Sequence, residues 1–226
     1  MSLSRRTLSR LAAAVGAAAA LGTALPAFAA DPRVKFVTSE GDFVIEVYPD
    51  KAPKTVENFL QYVKDKHYDG TIFHRVIKSF MVQGGGFDKD YKEKPTRASV
   101  IHEGRQALAK GLKNVTGTVA MARTNDPHSA TSQFFINVVD NARLDPVALP
   151  AGDPVTFEFQ GQVHKDIPRQ NVVNHPALFG YTVFGKVVSG MDTVEKIRNT
   201  PTGPGGPFPT DAPQKMVVIE SATLLK

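Results

Sequence analysis

The most informative absence in this 226-residue chain is cysteine, of which it has none. Without a thiol, the chain has no disulfide framework, no cysteine nucleophile and no cysteine-ligated zinc or iron–sulfur site. It also lacks an HExxH pair, which would bring two histidines to one helix face for zinc, and a GxSxG elbow for a hydrolase serine. The sequence therefore favours no metal-dependent or serine hydrolase, and we expect neither a cofactor nor a metal.

The chain has no strong excess of charge of one sign either. It contains 27 Lys and Arg against 22 Asp and Glu. Three of the arginines (Arg5, Arg6 and Arg10) lie before Ala30, in a stretch without an acidic residue, so 24 basic and 22 acidic side chains remain after it. Because a nucleic-acid-binding face needs a concentrated cationic patch, we expect no nucleic-acid partner.

Residues 1–29 have the pattern of a secretory signal peptide. Met1–Arg10 is cationic, and Leu11–Leu25 is rich in Ala and Leu without a charge. This apolar run is shorter than the ~20 residues that span a bilayer, so we expect no stable membrane insertion. Ala27-Phe28-Ala29 offers the small residues that a signal peptidase reads, which predicts cleavage after Ala29 and export. Arg5-Arg6 also resembles a twin-arginine signal, and both export routes stay open.

The remaining residues, 30–226, are predicted to form one all-β domain. Apolar and polar residues alternate in Val34–Thr38 and in Phe43–Val47, on either side of a turn, which predicts an N-terminal hairpin. Six further strands are predicted at Thr71–Ile77, Phe80–Gln83, Gly117–Arg123, Gln133–Val138, Thr182–Val188 and Lys215–Leu225. Eight strands without βαβ alternation predict a closed antiparallel barrel, which leaves no strand edge open.

Two stretches have a helical period and are predicted to cap this barrel. The first opens at Pro53, carries apolar residues at positions 56, 59, 60 and 63, and is predicted to end at Asp69-Gly70. The second places Met191, Val194 and Ile197 on one face and ends before Pro201. The eight-stranded barrel is therefore expected to have two α-helices.

Three segments are predicted to be irregular. Pro201–Pro213 is dense in proline and glycine, with five Pro and three Gly, which predicts a loop. Gly84-Gly85-Gly86 is predicted to be a turn at the end of a strand. Asp145–Leu178 is a long stretch with five prolines, which predicts an insertion into the domain with a small hairpin near Val155–Val163.

Two longer segments carry the most specific signal. Phe73–Gly86 reads FHRVIKSFMVQGGG, and Gly117–Val138 reads GTVAMARTNDPHSATSQFFINV. On these segments the chain resembles the cyclophilin family of peptidyl-prolyl cis–trans isomerases, especially its bacterial exported members. The resemblance covers about residues 34–225, interrupted by the insertion. It implies the family's eight-stranded barrel with two helices and isomerase activity on proline-containing polypeptides. From the signal peptide we expect a periplasmic location, and we expect the protein to be a monomer.

The same resemblance assigns a site. Arg75 matches the family's catalytic arginine, which would aim its guanidinium at the prolyl carbonyl and imide nitrogen. Gln83 is assigned as a second catalytic residue. Together with Gln133 it would orient the substrate backbone. An apolar cup for the proline ring matches Phe80, Met81, Phe135 and Leu144. The pocket wall that meets the peptide through main-chain groups matches Ala122 and Arg123.

Two positions depart from the pattern of many eukaryotic members. Tyr181 stands where they carry a histidine, and an aromatic hydroxyl still suits the pocket rim. Arg143 stands where they carry a tryptophan that packs on cyclosporin, so the resemblance implies weak binding of that drug. The insertion begins just after Leu144 and ends shortly before Tyr181, so we expect it near the groove, as a lid, a further peptide contact or surface decoration.

Other interpretations of these residues stay open. Taken alone, Arg75 would be a surface ion-pair residue, and the apolar cup would be part of the barrel core. The barrel would also suit a second class of function, a proline-peptide binding module or chaperone with low turnover. Arg75 favours the isomerase, because a protein that only binds has no need of that guanidinium.

Overall fold

The central feature of the computed structural model is an antiparallel sheet that curls into a nearly closed barrel. The model describes residues 30–225, so the predicted signal peptide lies outside the described residues. Within this range the strands are β1 (Arg33–Thr38), β2 (Gly41–Val47), β3 (Thr71–Ile77), β4 (Met81–Asp88), β5 (Thr118–Met121), β6 (Phe134–Asn137), β7 (Val155–Phe159), β8 (Gln162–Ile167), β9 (Val183–Ser189), β10 (Thr202–Gly205), β11 (Phe208–Pro213) and β12 (Ile219–Leu224). The α-helices of the same range are α1 (Pro53–Lys64), α2 (Gly104–Ala109), α3 (Arg169–Val172) and α4 (Met191–Arg198).

Eight of the strands form the barrel, in the order β12-β1-β2-β9-β5-β6-β4-β3. The seam between β3 and the chain leading into β12 is bridged by backbone hydrogen bonds. The amide of Phe73 donates to the carbonyl of Val217 at 2.9 Å, and the amide of Gly70 donates to that of Ile219 at 2.8 Å. The predicted eight-stranded antiparallel barrel is therefore confirmed.

Aromatic side chains fill the interior of the barrel. The rings of Phe36 and Phe43 stack with centroids 5.0 Å apart across the β1–β2 hairpin. Phe59 of α1 packs on Phe36 and also, at 5.0 Å, on Phe184 of β9. All four rings are at most 1% exposed, so burial of apolar area is the main force that holds α1 on the barrel.

The two predicted helices are present as α1 and α4, but the expected number of two is too low, because α2 and α3 also form. With six and four residues, these two are too short to show a helical period in the sequence. Helix α1 also ends at Lys64 rather than at Asp69. The chain turns over the next residues through a left-handed backbone, with φ of 54° at Lys66 and 78° at Gly70.

The Pro/Gly-rich segment predicted to be a loop instead forms the β10–β11 hairpin. Its regularity comes from tertiary contacts. The ring of Phe208 lies 5.2 Å from the rings of both His74 and Phe87, and Ala212 is fully buried. Packing of this hairpin on β3 therefore overrides the local preference of proline and glycine for irregular structure.

The triple glycine is not a strand-end turn, because it lies inside β4. Close packing explains these residues. A Cβ at Gly85 would lie 2.8 Å from the ring of Tyr68, and a Cβ at Gly84 would lie 3.0 Å from the carbonyl oxygen of Ile72. Gly85 also has a φ of 84°, which favours glycine.

The segment 145–178 has a small core of its own. Its β7–β8 hairpin confirms the one predicted near Val155–Val163. Val155, Phe157, Val172 and Leu178 are buried together. The two ends of the segment meet, since the amide of Val147 donates to the carbonyl of Leu178 at 3.0 Å.

No helix in the described part of the chain is long and apolar enough to span a membrane.

Candidate active site

The candidate site forms where β3, β4 and β6 lie side by side. In the strand register Arg75 pairs with Gln83, and Gln83 pairs in turn with Phe135. Side chains at directly paired positions emerge on the same face of a sheet. Three positions that are separated in the sequence are therefore brought to adjacent places on neighbouring strands.

Nine of the ten residues assigned by the resemblance line one cavity of about 170 Å³. They are Arg75, Phe80, Met81, Gln83, Ala122, Arg123, Phe135, Leu144 and Tyr181. The tenth, Gln133, lines a neighbouring cavity of about 320 Å³, and Gln83 lies at the wall of both. Pockets for whole drug-sized ligands measure about 300–1,000 Å³, so the smaller cavity suits a single side chain.

A chain of polar contacts runs along one wall. The Nη1 of Arg75 donates to the Oε1 of Gln83 at 3.5 Å, and the Nε2 of Gln83 donates to the Oε1 of Gln133 at 2.9 Å. On the other side of the guanidinium, its Nε lies 3.9 Å from the Oδ2 of Asp211. Arg75 is thus held from two directions by groups on different strands.

The opposite wall is apolar. Met81 is 2% and Phe135 is 4% exposed, while Phe80 and Leu144 are half-buried. The ring of Tyr181 stands edge-on to that of Phe135, with centroids 5.4 Å apart. These side chains offer buried apolar surface against which a proline ring can pack, while the side chain of Arg75 beside them is 40% exposed.

Two cations at the rim have structural partners. The guanidinium of Arg123 lies 4.8 Å from the ring centroid of Tyr181, and its Nε donates to the carbonyl of Gly180 at 3.0 Å. Its side chain is therefore engaged at the rim, and the role of its backbone toward a substrate stays a prediction. The guanidinium of Arg143 lies 4.8 Å from the ring centroid of Phe80, so this residue covers the edge of the apolar cup.

The histidine next to Arg75 is uncharged at neutral pH. His74 is 2% exposed, and burial, followed by the positive charge of Arg75, lowers its pKa from 6.5 to about 4. It faces Phe87 and Phe208 rather than the cavity. His74 therefore adds no second positive charge near the site.

Two residues that contact the site were missed by the sequence analysis. A Cβ at Gly86 would collide with the Cγ of Gln133, so this glycine leaves the space in which that side chain lies. The glycine run was visible, but its packing partner was not. Asp211 lies on β11, in the segment predicted to be a loop, and no local pattern in the sequence connects it with Arg75.

Larger cavities lie elsewhere on the described surface. One of about 630 Å³ separates α1 from β12, and another of about 480 Å³ lies between α1 and residues 97–101. The first is lined by apolar residues such as Leu60, Val63 and Leu224 together with charged ones such as Glu57 and Lys64. Size alone therefore does not identify a site, and the smaller cavity is singled out because it brings together nine of the residues that the resemblance assigns.

Comparison with known proteins decides the family. The model of the family described as cyclophilin type peptidyl-prolyl cis-trans isomerase/CLD matches residues 33–224. The chain belongs to the cyclophilin family. Cyclophilins of this type are isomerase enzymes, and the names of the bacterial relatives agree with that assignment.

The similarity to these bacterial cyclophilins covers almost their whole length. Peptidyl-prolyl cis-trans isomerase B of Escherichia coli is 45% identical over 191 residues, which is 84% of this chain and 98% of that protein. Peptidyl-prolyl cis-trans isomerase A of Dickeya dadantii is 43% identical over 219 residues, 96% of this chain and 98% of that protein. The cyp18 isomerase of Streptomyces antibioticus is 46% identical over 192 residues, 85% of this chain and 98% of that protein.

A solved structure shows the same fold. The crystal structure of a cyclophilin type isomerase from Cryptosporidium parvum superposes with a TM-score of 0.57 at 22% identity, covering 87% of this chain and 98% of that one. A second structure of that protein, determined in the presence of the dipeptide Ala-Pro, gives the same TM-score at 23% identity, with coverage of 86% and 99%. The barrel is thus kept at low sequence identity.

Proposed function

We propose that this chain accelerates rotation about X–Pro bonds of folding exported proteins, and that Arg75 supplies the key interaction. The observation that carries the proposal is a guanidinium at the wall of a small cavity whose other side is formed by Met81, Phe135 and Phe80. The proposed reaction needs neither a metal nor a cofactor, because no covalent bond forms or breaks.

The chemistry requires only that a twisted amide be stabilised. The resonance of a peptide bond gives its rotation a barrier of ~18–20 kcal/mol, and X–Pro isomers interconvert over tens to hundreds of seconds. Twisting removes the resonance and leaves a lone pair on the proline nitrogen. A donor placed at that nitrogen binds the twisted form better than the planar one, which is the condition for catalysis.

One interaction cannot supply the whole reduction of the rotation barrier, so several groups must contribute. Each tenfold acceleration needs about 1.36 kcal/mol, and one preorganised donor supplies roughly 2.7–4 kcal/mol. Arg75 would therefore account for about a hundredfold to a thousandfold. The remainder is assigned to the apolar cup, because a proline ring packed there is shielded from water, and a less polar environment disfavours the planar amide, whose resonance separates charge.

The two glutamines are assigned to the flanks of the substrate. Gln83 already accepts from Arg75 and donates to Gln133, so one N–H of its amide is left for a peptide carbonyl. The Nε2 of Gln133 makes no hydrogen bond within the described residues, which leaves two more donors. The amide of Ala122 donates to the carbonyl of Gln133 at 3.0 Å, so this wall is fixed by strand pairing.

We assign residues 145–178 to an insertion that braces the rim of the pocket. Its flanking residues, Leu144 and Tyr181, both line the cavity and are joined by a 2.9 Å backbone hydrogen bond. The Nη1 of Arg105, on α2, donates to the carbonyl of Val173 inside the insertion at 2.7 Å. These contacts favour a supporting role over a lid or mere decoration.

Export and a monomeric state complete the proposal. The cationic and apolar pattern of residues 1–29 supports secretion to the periplasm, and N-terminal sequencing of periplasmic protein should then begin at Ala30. The bridged seam supports a monomer, because the backbone bonds from Phe73 to Val217 and from Gly70 to Ile219 occupy part of the edge with which a second chain would pair. Gel filtration should give the mass of a single chain, and a dimer would contradict this assignment.

The decisive experiment is a proline-peptide isomerisation assay on the wild type, Arg75→Ala and Arg97→Ala. Arg97 is a matched control, since its side chain is also partly exposed and forms an ion pair, with Asp65 at 3.2 Å. We expect Arg75→Ala to lower kcat/KM by roughly 10²–10³-fold and Arg97→Ala to leave it unchanged. If the wild type binds the peptide but leaves the uncatalysed rate unchanged, the protein is a binding module and the enzyme proposal fails.

A further inference from the structure

The β10–β11 hairpin is firmly anchored beside the site. Phe208 packs against the rings of His74 and Phe87, and Pro213 is buried next to the fully buried Ala212. The tip of the hairpin also fits closely, because a Cβ at Gly206 would collide with the ring of Tyr91. Side chains on β11 are therefore held at fixed positions relative to β3.

One residue of this hairpin has an unusual backbone. Asp211 has a φ of 64°, in the left-handed region that side chains other than Asn, Asp and His rarely adopt. Such a conformation persists where the surrounding structure enforces it, and these conformations cluster at functional sites. Here its carboxylate faces the guanidinium of Arg75, with 3.9 Å between Oδ2 and Nε.

This ion pair differs from the others in the described residues. The remaining pairs, for example Lys35 with Asp42 at 2.7 Å, involve no residue of the 170 Å³ cavity. Within this part of the chain, Asp211 alone forms an ion pair with a side chain of the candidate site. The hairpin thus connects a rigid part of the fold with the long, flexible side chain of Arg75.

We infer that Asp211 is a positioning residue that fixes the orientation of the Arg75 guanidinium. The inference rests on the role proposed above for Arg75. Gln83 restrains Nη1 at the outer limit of a hydrogen bond, and Asp211 restrains Nε from the other side. One hydrogen bond and one longer ion pair together define the plane of the fork, and the remaining N–H groups of the guanidinium are left for the substrate.

The carboxylate also has an opposite effect on catalysis. The inference can therefore be tested by whether the rate rises or falls when the carboxylate is removed. A negative charge at this distance weakens the positive potential that Arg75 presents to the twisted amide. If the potential were the dominant factor, removing the carboxylate would raise the rate. If orientation dominates, removing it lowers the rate, because a misplaced donor loses most of its benefit.

The experiment compares Asp211→Asn and Asp211→Gly with the wild type. Asn tolerates the left-handed backbone and Gly adopts it freely, so at least one variant keeps the hairpin. We expect kcat to fall roughly threefold to tenfold with KM within about twofold, less than the ~100-fold cost of a 1 Å misplacement, because Gln83 still holds Nη1. Asp42→Asn, which breaks a distant ion pair, should leave kcat unchanged.

The same Asp211 substitution in the Arg75→Ala variant tests whether Asp211 acts through Arg75. In Arg75→Ala, adding Asp211→Asn should lower kcat no further, because the side chain to be positioned is gone. An unchanged or raised kcat for both Asp211 variants overturns the inference, and so does an equal loss in the Arg75→Ala background. If Arg75→Ala itself keeps full activity, the proposed role of Arg75 has failed instead.

Discussion

The variant Gly86→Ala is expected to impair catalysis while leaving the fold nearly unchanged. The φ of Gly86 lies outside the left-handed region, so alanine is acceptable to the backbone. The added Cβ would, however, lie 2.6 Å from the Cδ and 2.7 Å from the Nε2 of Gln133, and closer still to its Cγ. These atoms belong to a flexible, half-buried side chain, so we expect Gln133 to move rather than β4.

The size of the displacement follows from contact distances. Carbon atoms normally approach to about 3.5–4.0 Å, so the Gln133 side chain must retreat by roughly 1–1.5 Å. The 2.9 Å bond from Gln83 to Gln133 then exceeds the length of a hydrogen bond. Loss of that bond costs about 1 kcal/mol of stability, whereas a 1 Å misplacement in a site costs up to ~100-fold in rate.

The assay measures kcat/KM for a proline peptide together with the thermal midpoint. We expect kcat/KM of Gly86→Ala to fall about 10–100-fold with little change in the midpoint. Gly85→Ala is the contrasting control, because its Cβ would meet the buried rings of Tyr68 and Phe134 at 2.8 and 3.0 Å and its φ is 84°. That variant should lose stability. A fully active Gly86→Ala would refute the reasoning about Gln133.

Three further predictions concern stability and the insertion. His74 has a pKa of about 4 in the folded chain, against 6.5 for an ordinary histidine. The stability that comes from keeping it neutral is therefore complete above pH 6.5 and is lost as the pH falls towards 4. The urea midpoint of unfolding should fall over that range, and it should fall less steeply in His74→Gln. Glu103 accepts from the amides of Lys54 and Thr55 at 3.0 and 2.8 Å, so Glu103→Ala should cost about 1–3 kcal/mol of unfolding free energy in urea without changing kcat of the folded protein. A variant lacking Pro146–Pro176 should raise KM for long peptides with a preserved circular dichroism spectrum, and unchanged kinetics would instead make the insertion decoration.

The barrel was predictable because its signals are local. Alternation in Val34–Thr38 and Phe43–Val47 requires only one buried face per strand, and the confirmed hairpin follows from it. The helical spacing of Val56, Phe59 and Val63 similarly predicted α1, all three being buried. The end of α1 was misplaced, because the turn at Lys66 depends on a left-handed backbone that the residue type does not predict.

The site was predictable only in part. Eight of its ten assigned residues lie in the long motifs around Arg75 and Phe135, Leu144 and Tyr181 lie outside them, and nine of the ten line one cavity. Asp211 and Gly86 could not be found that way, since their importance lies in distances to Arg75 and Gln133 across the fold. The β10–β11 hairpin was misjudged for the same reason, because Phe208 is ordered by rings that belong to distant parts of the sequence.

The bridged seam of the barrel constrains when this protein can fold. Strand β12, residues 219–224, pairs with β1 and follows directly on the segment that bonds to β3. During synthesis, β1 and β3 therefore each expose an unpaired edge until residues 217–224 have left the ribosome. Such edges are templates for aggregation, so a chaperone that shields extended segments during this interval should raise the yield of the folded protein.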